Sequence, residues 1–119
     1  MDPVPSSERL VKNIHEASFD VFPESDQFTR GESYIQLDEN AAPGTGFHVY
    51  KMAPGATTVP HEHTGDEHFL VLEGELTDHD GYRYKAGDLV LLKRGTIHNS
   101  TTKGGCTLAV YISTAETAV

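Results

Sequence analysis

Tryptophan is absent from this chain, and cysteine occurs once, at Cys106. A lone cysteine excludes an internal disulfide, so packing and hydrogen bonds must carry the fold. The reducing cytoplasm is the expected location. No stretch approaches the roughly twenty consecutive apolar residues that a membrane-spanning helix requires. Positive charge is scarce, with 9 Lys and Arg against 18 Asp and Glu and a formal net charge of −9. So acidic a surface repels phosphate backbones and anionic headgroups, and neither nucleic acid nor a membrane is expected as partner. The opening residues, 1–9, lack the apolar core of a secretory leader. With Pro3, Pro5 and polar neighbours they read as a flexible arm ahead of a domain at 10–119. A chain of 119 residues suffices for one domain with one core.

A long helical periodicity is missing as well. In its place are short apolar runs punctuated by Gly, Asp and Pro. Strands are expected at Leu10–His15 (a short helix capped by Ser6 or Ser7 being the alternative there), Tyr34–Leu37, Phe47–Met52, His61–His63, Glu67–Leu76, Tyr82–Tyr84, Leu89–Leu92 and Thr107–Ile112. Asp38–Gly46 and Ala53-Pro54-Gly55 have turn chemistry, and His79-Asp80-Gly81 suits a hairpin tip. Strands at this spacing make an all-β single domain, a sandwich or a barrel.

The densest chemistry lies between Gly55 and Gly74, in the order Gly55, His61, His63, Glu67, Gly74. Side chains alternate faces along a strand, so His61 and His63 point the same way, about 7 Å apart along the backbone. A short turn at Thr64–Asp66 then delivers the Glu67 carboxylate, and a third imidazole is available downstream at His98. Paired imidazoles plus a carboxylate suit a divalent transition metal. Eight acids between Glu62 and Asp88 add a field that favours cations, although most serve as solubilising surface charge. His15 and His79 read as surface histidines, and Cys106 as a small buried residue rather than a ligand.

These residues resemble the first motif of the cupin superfamily, Gly-x5-His-x-His-x3-Glu-x6-Gly, matched in full by Gly55, His61, His63, Glu67 and Gly74. The second motif, Gly-x5-Pro-x-Gly-x2-His-x3-Asn, is similar to residues 87–102. Gly87, Gly95 and His98 fit, while Lys93 stands for the proline and Thr102 for the asparagine. The segment from Glu67 to Gly74 and the Gly105-Cys106 pair are similar to the ChrR-type cupin domain, and acetylacetone-cleaving dioxygenases are cupins of comparable size. The resemblance spans about residues 47–112.

It implies a jelly-roll β-barrel with a metal held by His61, His63, Glu67 and His98. Such a set suits Fe(II), the favoured ion, as well as Zn(II), Mn(II), Ni(II) or Cu(II). Glu67 has two open roles, as ligand or as a catalytic general base beside the ion. Phe69 and Val71 share the parity of Glu67 and are expected to wall the pocket, with His48 a further pocket residue. His68 should face away. The implied activity is that of a metal-dependent, dioxygenase-like oxidoreductase acting on a small enolisable carbonyl or phenolic compound. Alternatives are a non-catalytic metal- or ligand-sensing module of the ChrR kind and a small-sugar isomerase or epimerase. Leu70 and Leu72 lie on the face opposite the pocket, where an apolar outer sheet suggests a homodimer.

Overall fold

The computed structural model describes residues 1–23, 25–113 and 117–118, and every strand pairing among them is antiparallel. The strands are β1 Asp20–Val21, β2 Glu32–Gln36, β3 Gly46–Met52, β4 His61–Glu62, β5 Glu67–Asp78 and β6 Arg83–Lys85. They continue with β7 Leu89–Leu92, β8 Ile97–His98, β9 Ser100–Thr101, β10 Cys106–Ile112 and β11 Thr117–Ala118. One sheet runs β1-β2-β3-β10-β5-β6, with β7 and β9 also on β5, and a smaller sheet runs β11-β4-β8. The only helix among the described residues is a single 3₁₀ turn at Ser6–Glu8. The fold is all-β, a curled antiparallel sheet of the cupin jelly-roll type.

β5 is the spine. Its first half pairs with β10 and β7, and its second half with β6 and β9. The change of partner falls at Gly74, beside a register shift in β10 between Thr107 and Leu108. Alternation sorts the side chains on either side of this spine. Phe69 and Val71 of β5 and Leu108 and Val110 of β10 point inward and join Met52, Leu76 and Tyr84 in the core. On the other face Phe47, Leu72, Leu89, Leu91 and Tyr111 are exposed.

The strand expected at Leu10–His15 does not form. Leu10 and Val11 are exposed, and a turn over 14–16 is closed by Ala17 donating its N–H to the Asn13 carbonyl at 2.8 Å. Asn13 Oδ1 also accepts the His15 N–H, the local hydrogen bonding by which asparagine competes with sheet pairing. The first strand is Asp20–Val21, which was not expected, and β8, β9 and β11 are further short additions. Outside a motif such as the one that marks β4, two-residue strands carry too little periodicity to be read from sequence.

Cys106 is buried, and burial pushes its thiol up to about 11, against weaker opposing hydrogen bonds from Thr102 and the Met52 backbone. At pH 8 the thiolate is therefore scarce and shielded. The native protein should react with a disulfide reagent only as fast as it opens, and fully once denatured. Rapid stoichiometric labelling of the native state would contradict the burial.

Candidate metal centre

The smaller sheet brings the histidines together. β4 and β8 pair with His61 directly opposite His98. One residue beyond β4, His63 keeps an extended course, its N–H donating to the Thr96 carbonyl at 2.9 Å and its carbonyl accepting from Gly95 at 2.8 Å. The His61 and His63 rings lie stacked at 5.2 Å, and His98 meets both edge-on at 4.5 and 4.8 Å. One ligand nitrogen from each of the three lies within 4.8 Å of the others. His63 is fully buried and His98 nearly so.

Hydrogen bonds fix which nitrogen faces inward. His61 Nδ1 lies 2.7 Å from the Val59 carbonyl, which can only accept, so that nitrogen carries the proton. His98 Nδ1 lies 3.1 Å from Asp78 Oδ1. In both rings Nε2 is left with its lone pair for a metal. The Nε2 atoms of His63 and His98 stand 3.0 Å apart. Two nitrogens bound at right angles to one ion, each at about 2.1 Å, are separated by about 3.0 Å. Ligands of one ion lie at most about 4.2 Å apart, so a spacing of 4.8 Å must close by at least about half an ångström on binding. The triad fits a single divalent transition ion.

Asp78 anchors His98 and is itself anchored. It also accepts from the Ser100 hydroxyl at 2.6 Å and from the Tyr84 hydroxyl at 2.7 Å. Burial raises its pKa, but the hydrogen bonds from His98, Ser100 and Tyr84 outweigh burial and hold the carboxyl below its usual range. Burial, then the bond to Asp78, push the Tyr84 phenol well up. The result is an ionised carboxylate fixed behind one ring of the triad.

Two members of the triad, His61 and His98, line a cavity of about 110 Å³, with the fully buried His63 behind them. His61, His98, Glu67, Phe69, His48 and Tyr50 are among its walls. Glu67 sits beside the triad rather than within it, its Oε1 3.7 Å from His63 Nε2. His48 points inward from β3 with Tyr50 and Met52. Val71 is buried in the core behind this wall and does not reach the cavity, where Leu108 and Val110 face the space instead. His68 is exposed beside Tyr111, and His15 and His79 are exposed as well.

The sequence profile of the ChrR cupin-like domain matches residues 11–116. The chain belongs to this family. No curated protein matches it in sequence. Among solved structures, the polyketide cyclase RemF from Streptomyces resistomycificus is similar with a TM-score of 0.70 and 18% identity, over 92% of this chain and 86% of that one. An acetylacetone dioxygenase from Acinetobacter johnsonii gives 0.66 and 15%, over 99% and 80%. The anti-sigma ChrR complex with SigE from Rhodobacter sphaeroides gives 0.63 and 18%, over 89% of this chain and 52% of that one. Identities this low establish a shared fold and leave chemistry to the site. Among the described residues no helix is long and apolar enough to cross a membrane.

This cupin's departures from the second motif have local substitutes. Where the motif has proline, the turn at Lys93 is held by the Thr96 hydroxyl on the Lys93 carbonyl at 2.6 Å and by Asp66 Oδ1 accepting the Arg94 N–H at 2.8 Å. Where it has asparagine, the buried Thr102 donates its hydroxyl to the Glu75 carbonyl at 2.7 Å. Both keep His98 on course.

Asp78 and Ser100 had no signal in the sequence. Their link to His98 depends on the β5–β9 register that sets Asp78 opposite Ser100. Outer-shell partners of metal-bound histidines are worth about 10- to 100-fold in affinity. Asp78→Asn should weaken metal binding by about that factor in chelator competition. An unchanged affinity would mean that His98 is oriented by something else.

Proposed function

We propose that this chain is a metal-dependent, dioxygenase-like oxidoreductase acting on a small enolisable carbonyl or phenolic compound. One observation carries the reading: imidazoles from two separate chain segments converge on the wall of a small cavity. His61, His63 and His98 would hold the ion, Fe(II) being favoured, with Glu67 alongside. Three neutral imidazoles do not by themselves select the metal. When bound, a divalent iron supplies Lewis acidity toward substrate oxygens and a redox couple for dioxygen.

The chain's own residues do the remainder. His61 and His98 present Nε2 because Val59 and Asp78 hold their opposite nitrogens. Glu67, facing the cavity, is placed to take the acidic proton of an enolisable ligand. Phe69, Leu108 and Val110 exclude water around it. The cavity favours small ligands, since an engineered cavity of about 150 Å³ holds benzene. Among the described residues its walls carry no Lys or Arg, which disfavours the sugar-phosphate isomerase alternative.

The test is anaerobic loading with Fe(II), followed by oxygen-uptake measurements over a panel of diketones and phenols. Uptake coupled to carbon–carbon cleavage supports the reading, and none with any metal removes it. The family match favours a second reading, a metal- or ligand-sensing module without catalysis. Stoichiometric capture of a sigma factor would favour that one.

The proposal includes a homodimer through the outer face, where Leu89 and Leu91 of the edge strand β7 stand beside His68 and Leu70. Tyr111 and Phe47 continue the same surface across β10 and β3. Light scattering at micromolar concentration should give twice the chain mass, and Leu89→Glu should give the single mass. A monomeric native protein removes this part of the reading.

A further inference from the structure

Glu32 is a buried carboxylate that chemistry at the histidine triad does not use. It is 2% exposed, and no basic side chain pairs with it among the described residues. Its Oε2 accepts the Thr29 N–H at 2.6 Å, while Oε1 accepts the Tyr50 hydroxyl; the Thr29 hydroxyl, 3.0 Å from Oε2, gives its single proton to the Thr57 carbonyl at 2.8 Å. Burying a charge without a counter-ion is costly, and a neutral glutamine could tie Thr29 to Tyr50 with less penalty. Each carboxylate oxygen can accept two hydrogen bonds. Each oxygen therefore accepts one hydrogen bond and keeps one acceptor site.

Glu32 and Tyr50 belong to the wall of the same cavity, and so do Phe22 and Phe28. Those two rings stack at 3.9 Å with an interplanar angle of 2°, forming a rigid apolar element. Gly44 lies close against it, for a Cβ there would stand 3.3 Å from Phe22 Cζ. A carboxylate with a spare acceptor site beside stacked aromatics suits a planar ligand with one polar hydrogen. In the metal-free protein an anionic ligand would meet the Glu32 and Glu67 carboxylates, and no Lys or Arg lies on the wall among the described residues.

We propose that Glu32, Tyr50, Phe22 and Phe28 form a second anchor in the cavity, selecting a small planar conjugated ligand that donates an O–H to Glu32. This rests on the cavity being the small-molecule site proposed above, and it narrows the ligand to neutral phenols and enols. In the metal-free protein carboxylate-bearing analogues are rejected by charge, and analogues without a donor by the unmet acceptor.

The test uses chelator-treated, metal-free protein titrated with phenol, anisole and benzoate, read by ¹⁵N amide shift changes. Phenol should bind at least about tenfold more tightly than anisole, the scale of one hydrogen bond to a charged group. Benzoate should be weaker still. Glu32→Gln should admit benzoate at least about tenfold better by removing the like charge. Equal binding of phenol and anisole, or benzoate matching phenol, overturns the proposal. So does an unchanged benzoate affinity in Glu32→Gln. Should that variant fail to fold, the ligand series on the native protein decides. Because no metal is present, phenol selectivity in a protein that binds no iron would sink the metal reading alone. Iron binding without selectivity would sink only this anchor.

Discussion

Replacing His98 by alanine should weaken divalent-metal binding by about two orders of magnitude or more. Four-ligand structural zinc sites in peptides are worth about 10–16 kcal/mol, or about 3 kcal/mol per ligand, which is more than a hundredfold. His98 is the informative choice because it is the one imidazole supplied by the second chain segment. It joins the others through the β4–β8 pairing, which sets it opposite His61. Its removal leaves two imidazoles from a single stretch of chain, a far weaker chelate. The fold should survive, since the Asp78 carboxylate keeps its bonds from Ser100 and Tyr84. Elemental analysis and chelator competition measure the loss, with circular dichroism as the check on folding. His79→Ala, at an exposed position, should change nothing. An alanine variant at position 98 with native stoichiometry and affinity would refute the shared ion.

Much of the site was legible because motif spacing is a strong signal when it falls on alternating side chains. His61 and His63 share a direction for the simple reason of strand parity, and their rings do stack. The long strands β3, β5 and β10 announced themselves as apolar runs, and all three lie within a residue or two of their expected bounds. What stayed hidden depends on tertiary register. Asp78 is an ordinary acid before a hairpin tip until β9 pairs with β5. Glu32 and Tyr50 are distant in sequence, and they meet because β2 pairs with β3 and turns both side chains toward the cavity. Val71 shows the limit of parity. It shares the inward face with Phe69, yet further along the same strand that face packs against core rather than space. At the start of the chain, Leu10, Val11 and Ile14 gave an apolar pattern with no partner strand to pair with, and local hydrogen bonding at Asn13 prevailed.

The largest stability effect should come from Gly74→Ala, with a loss of about 3 kcal/mol or more. Two costs add. Gly74 has φ +78°, a left-handed conformation that costs a residue with a Cβ about 1–2 kcal/mol. A Cβ there would also stand 2.1 Å from the Gly105 carbonyl oxygen and 2.9 Å from Cys106 Cα. Both are backbone atoms of the paired strand and its approach, so no side-chain rotation relieves the overlap. The spine or β10 must shift where their register already changes. Gly55→Ala separates the two costs, because its φ is +84° and nothing lies within 4 Å of the added carbon. That variant should lose only about 1–2 kcal/mol. Thermal unfolding should place Gly74→Ala about 10 °C or more below the native protein, with Gly55→Ala in between. Equal losses in the two would mean that conformational strain alone governs position 74. The close approach of β5 to β10 would then not be what demands glycine at the motif's end.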